Sequence, residues 1–165
     1  MHKTQELNCS AGSNQLMDTV VFLRYSLAFL ICFGLLSNSQ GATWYVDNTA
    51  TGLDDGTSWS NAWTDLNSAS GVNPGDTVYI SGGNVSQTYW LTDTTWQLAN
   101  GTNNNPVTYT VGQDAGHNGT VILNGGGTQA NAVNATLAWV TIDGSYDDQN
   151  NLIISNFTDG SFLFD

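Results

Sequence analysis

The chain has 165 residues and carries two Lys and Arg against 14 Asp and Glu, for a net charge of −12. Both bases, Lys3 and Arg24, lie ahead of Gly41, and every acidic residue beyond Gly41 is Asp. Such a surface can neither neutralise phosphates nor offer a polybasic patch, which excludes nucleic acid and anionic membranes as partners.

Arg24 precedes the apolar run from Tyr25 to Leu36, which gives way to Ser37-Asn38-Ser39-Gln40-Gly41-Ala42. This is the layout of an export signal over residues 1–41, with Ser39 and Gly41 favouring cleavage before Ala42. The apolar run falls well short of the roughly 20 residues that span a bilayer, so no transmembrane anchor is read. Met17, close to the run, is an alternative start. Export would also remove Cys9 and Cys32, leaving a secreted or cell-surface protein with no disulfide and no thiolate metal site.

Thr43-Trp44-Tyr45-Val46 reads as a first strand, and the Gly- and Asp-rich stretch from Asn48 to Thr57 as a loop. From Ser58 to Ala69, Ala62, Trp63, Leu66 and Ala69 recur at helical spacing behind Ser58 or Ser60 as caps, before Pro74-Gly75 turns the chain. A short helix is expected there. Residues 42–75 then form an N-terminal cap and residues 76–165 the body of the fold.

That body is a series of short β runs: Thr77–Ile80, Tyr89–Leu91, Val107–Val111, Val121–Leu123, Trp139–Ile142, Leu152–Ile154 and Phe162–Phe164, joined by Gly- and Asn-rich connections. Val121-Ile122-Leu123-Asn124-Gly125 aligns with Val140-Thr141-Ile142-Asp143-Gly144 at an offset of 19 residues, which suggests one coil of a β-helix, where no coil can bury its own apolar face. An antiparallel β-sandwich is the alternative. The chain stops at Phe162-Leu163-Phe164-Asp165 without a polar cap, so a truncated stack is expected.

Trp44-Tyr45-Val46-Asp47, Asp54-Asp55-Gly56-Thr57, the Ser58–Ala69 segment and Pro74-Gly75-Asp76-Thr77-Val78-Tyr79-Ile80 occur in an order that resembles the N-terminal region of secreted right-handed parallel β-helix proteins of the pectate-lyase-like superfamily. Asn105-Pro106-Val107-Thr108-Tyr109 and Trp139-Val140-Thr141-Ile142-Asp143-Gly144 extend the resemblance. It implies an all-β right-handed parallel β-helix with an N-terminal capping helix. It also implies action on an extracellular polysaccharide, though the superfamily includes adhesins and proteins without a reaction as well as lyases and glycosidases.

Polysaccharide lyases of this fold generally use a Lys or Arg base and calcium held by acidic residues. No such base follows Gly41, so no catalytic residue is assigned and a complete lyase centre is not expected. Glycoside hydrolysis needs two suitably separated carboxyls; Asp143, Asp147 and Asp148 form the densest cluster, although Asp143–Asp148 also reads as a turn. Asp47, Asp54 and Asp55 offer hard oxygen ligands for calcium, or else polar turns. His117, within Gly116-His117-Asn118-Gly119, has no Ser or Cys nucleophile beside it and reads as a polar loop residue. Among the tryptophans, Trp63 and Trp139 fall at inward positions, while Trp96 in Thr94-Thr95-Trp96-Gln97 has the most polar neighbours and is the candidate for stacking on a sugar. The leading expectation is a non-catalytic capping region of a secreted carbohydrate-active β-helix protein. The alternatives are a surface or adhesive β-helix and a small calcium-dependent sugar-binding module.

Overall fold

Short runs of β-branched and aromatic residues separated by turn formers favour strands over helices, and stacking buries what a single run leaves exposed. In the computed structural model, residues 40–135, 139–159 and 162–164 are described; most of the expected leader, with Met17, lies outside them. The chain winds as a parallel β-solenoid of about three turns. One sheet has the order β1 (Thr43–Val46), β2 (Thr77–Ile80), β4 (Val107–Val111), β7 (Val140–Asp143); a second has β3 (Ser86–Trp90), β5 (Thr120–Asn124), β10 (Leu152–Ser155). On the third face, β6 (Val133–Ala135) pairs with β11 (Phe162–Phe164), and Trp96 makes a parallel bridge to Val133. Among the described residues every strand pairing between coils is parallel, which removes the antiparallel sandwich. Among the described strands, antiparallel pairing is confined to the two-residue strands β8 (Ser145–Tyr146) and β9 (Gln149–Asn150).

Register fixes the coil length. Thr43 lies opposite Thr77, Thr77 opposite Thr108 and Thr108 opposite Thr141, so one coil takes 34, 31 and then 33 residues. The offset of 19 is therefore not a coil. Val121–Asn124 belongs to the second sheet and Val140–Asp143 to the first; their likeness reflects two strands that both end in an Asn-Gly or Asp-Gly turn.

Alternation along each strand sends one file of side chains inward. Val46, Ile80 and Val111 form one in-register buried file of the first sheet, and Val121 and Leu123 fill the second. Trp96 closes the interior from the third face, 1% exposed and edge-on to Tyr109 with ring centres 5.1 Å apart. Fully burying an aliphatic side chain is worth about 1.5–3 kcal/mol, so stacking these files supplies what a lone coil lacks.

The segment Ser58–Ala69 is not one helix. It contains two single 3-10 turns, Trp59–Asn61 and Leu66–Ser68, capped by the Ser58 and Asp65 side chains. Between them the Trp63 amide donates to the Tyr45 carbonyl and the Trp63 carbonyl accepts from the Asp47 amide, on the edge of β1 opposite β2. Those sheet-type bonds, with the Trp63 indole stacked 5.1 Å from that of Trp44, outcompete a segment of mediocre helix formers. Gly56 is required here: its φ is +73°, and a Cβ would lie 2.6 Å from the Trp63 ring. As expected Trp63 is buried, whereas Trp139 is 52% exposed: Val140 and Ile142, opposite the buried Val107 and Tyr109, take the inward file of β7, and Trp139 precedes them at a corner with φ +62°.

Candidate functional site

Where the first sheet turns into the second, the interior becomes polar. Asp47 follows β1, Ser81 follows β2, and Gln87 occupies the inward position of β3 that Val121 fills one coil later. Thr49 donates its amide and hydroxyl to Asp47 Oδ1 at 2.9 and 2.7 Å, and Gln87 Nε2 donates to the same oxygen at 2.8 Å. Burial by itself would raise the Asp47 pKa, but the hydrogen bonds from the Thr49 hydroxyl, Gln87 and the Thr49 amide outweigh it and hold the carboxyl below its ordinary value. Tyr89 completes the corner, donating its hydroxyl to the Ser81 carbonyl at 2.9 Å; burial and the neighbouring Asp47 charge push its pKa well above the normal tyrosine range.

His117 reaches this corner from the loop between β4 and β5. Its Nδ1 lies 3.2 Å from Asp47 Oδ2 and 3.0 Å from Ser81 Oγ, and its ring lies flat on that of Trp59, 4.0 Å between centres and 4° between planes. Trp59 Nε1 in turn donates to Asp114 Oδ2 at 2.7 Å. Ser81 Oγ accepts from the Gly83 amide and donates to Gln87 Oε1. Donor accounting then places a proton on Nδ1, shared between Asp47 and Ser81.

The sequence separates Asp47, Ser81 and His117 widely, and only the stacking of coils at 31–34 residues brings them together. A periodicity search at that spacing would have found the Asp47 and Ser81 corner positions. The trio is not a hydrolytic triad. In a triad the serine meets one imidazole nitrogen and the carboxylate the other; here both meet Nδ1, and Ser81 is fully buried.

No protein-family model, curated protein or solved structure matches the chain.

The carboxylates proposed for calcium are spread over separate local tasks. Asp47 is engaged as above, Asp54 Oδ1 accepts from the Thr64 amide and hydroxyl, and Asp55 Oδ1 accepts from those of Thr57. No group of three His, Cys, Asp or Glu side chains is gathered for a metal among the described residues. The Thr57 hydroxyl and amide also hold Asp55 below the usual carboxylate range.

Asp143 Oδ1 accepts from the Ser145 amide and hydroxyl, which lower its pKa, the opposite of what a general acid needs. Asp147 and Asp148, at φ +49° and +58°, are the two central residues of the tight turn joining β8 to β9. That is the type I′ requirement, which Asn, Asp and Gly meet best. Asp143 and Asp148 do share an open depression of about 410 Å³ with Gly144, Ser145, Gln149 and Asn150.

Trp96 does not have the role the sequence suggested. Its ring is enclosed against Tyr109, and its Nε1 is buried without a hydrogen-bond partner, so no indole face is free for a sugar. Polar neighbours in sequence surround an inward-pointing residue simply because strand residues alternate in direction. The exposed indoles are Trp90, 62% exposed at the end of β3, and Trp139. Trp90 lines a groove of about 210 Å³ with Asn48, Thr64, Asp65, Leu66, Tyr89 and Leu91.

Proposed function

We propose that this chain is the non-catalytic N-terminal region of a secreted carbohydrate-active β-helix protein, resembling polysaccharide lyases in architecture and contributing polysaccharide binding in place of bond cleavage. The observation that carries the reading is how the carboxylates are used. Asp47, Asp54, Asp55 and Asp143 each accept hydrogen bonds that fasten a turn, a strand end or a corner of the solenoid. A lyase of this fold would also need a Lys or Arg base, and none follows Arg24. A rigid parallel stack with an exposed tryptophan beside polar side chains fits retention of a sugar polymer.

The test is secretion of the full chain from its own start in an exporting host, with sequencing of the mature amino terminus. Retention on a panel of extracellular polysaccharides and ultraviolet absorbance of unsaturated sugar products are then measured. Ala42 as the first residue, retention on at least one polymer and no unsaturated product are expected. Retention of the protein in the cytosol, or formation of unsaturated product, would overturn the corresponding part of the reading.

A further inference from the structure

We infer that the Trp90 groove is a subsite for a single neutral pyranose unit, an assignment that rests on the polysaccharide-binding reading above and narrows it to a place and a class of sugar. The groove is lined by the exposed Trp90, by the polar rim residues Asn48, Thr64 and Asp65, and by Leu66, Tyr89 and Leu91, whose side chains are at most 3% exposed and so close it from beneath without offering apolar surface. In register with Trp90 on the next two coils stand Asn124 and Ser155, neither bulky enough to cover an indole, and Trp90 is the most exposed tryptophan of the described residues. An indole face left to water is the surface on which the C–H face of a pyranose stacks.

The rim decides the class of ligand. Asp65 uses Oδ1 to accept from the Asn67 amide at 2.6 Å, which leaves Oδ2 to accept from a ligand. Thr64 donates its hydroxyl to Asp54, so that oxygen is also presented as an acceptor. Asn48 donates one amide proton to the Thr88 carbonyl at 2.7 Å and receives the Gln87 amide, leaving its second proton to donate. A rim rich in acceptors, bearing a carboxylate and no cation, matches the hydroxyl donors of a neutral sugar and repels uronate, sulfate and phosphate groups.

Size and rigidity agree with this. About 210 Å³ is below the roughly 300–1,000 Å³ of pockets that enclose drug-sized ligands, so the groove takes one ring of a polymer whose remainder lies outside. The polar rim is fixed before any ligand arrives. Asn67 donates to the Thr95 carbonyl and accepts from the Gln97 amide at 2.7 Å, tying the 64–68 segment to the third face, and Asn48 is tied to β3. Little ordering cost then falls on binding.

The experiment is affinity electrophoresis of the full chain through gels containing neutral polymers (β-glucan, xylan, mannan, galactan) or acidic ones (polygalacturonate, alginate). Trp90→Ala, Asp65→Asn and Trp139→Ala are run beside it, with circular dichroism confirming the fold of each. The expected result is retardation by at least one neutral polymer, weakened roughly tenfold or more by Trp90→Ala and severalfold by Asp65→Asn. Trp139→Ala, which removes an exposed indole outside the groove, leaves the retardation unchanged. Retardation that survives Trp90→Ala would overturn the groove and leave the polysaccharide reading standing, as would retardation by acidic polymers alone. No retardation by any polymer would overturn both.

Discussion

Asp47 is a buried carboxylate with no Lys or Arg near it among the described residues, and its charge is tolerated because hydrogen-bond donors surround it. Thr49 and Gln87 occupy one oxygen and His117 the other. The consequence for stability follows from the lowered pKa. A group whose folded pKa lies below its unfolded value, about 3.9 for Asp, stabilises the fold above that value and loses the contribution as pH falls through the lowered one. Asp76 adds to the same acid-side loss, since it accepts from the Ala42 amide, Trp44 Nε1 and the Asn73 amide. Asp47→Asn should cost about 1–3 kcal/mol at neutral pH, and the gap between variant and parent should shrink as pH drops below about 4. Urea melts across pH 2–7 measure this, and a gap that stays constant would show that the ionised form is not what the corner stabilises.

At the scale of elements, the strands were legible because alternation and β-branched residues mark them, and the Asp147-Asp148 turn because Asp is at home there. What was not legible is what depends on a partner distant in the sequence. Ser58–Ala69 has helical spacing, but Trp63 gains two sheet bonds to β1 that no local pattern announces. Trp96 sits among polar residues, yet its inward direction is set by the bridge to Val133. The Asp143, Asp147 and Asp148 cluster looked chemical only until Ser145 and the positive φ values assigned each a structural task. The paired variant Asp147→Asn with Asp148→Gly, which installs the preferred I′ residues, is expected to hold or slightly raise the melting midpoint and to leave polysaccharide retention unchanged. A destabilised double variant, or one with altered retention, would return these carboxylates to functional candidacy.

For the whole molecule, a solenoid is ordinarily a one-dimensional stack in which each coil touches only its neighbours and stability is a sum of adjacent terms. His117 departs from that rule. It belongs to the coil of β4 and β5, meets Ser81 in the coil before, and reaches Asp47 one coil earlier still, where Trp59 from the same early segment covers its ring. His117→Ala should therefore lower the melting midpoint and broaden the transition, and hydrogen exchange should separate the protection of β1 from that of β4. A sharp transition with uniform protection would show that adjacent pairing alone is enough. In a zipper, teeth open one after another from an end, and nothing behind the slider resists. A histidine that stitches across two coil boundaries acts as a backstitch, so the first coil cannot peel away alone and the early coils are held as one cooperative block.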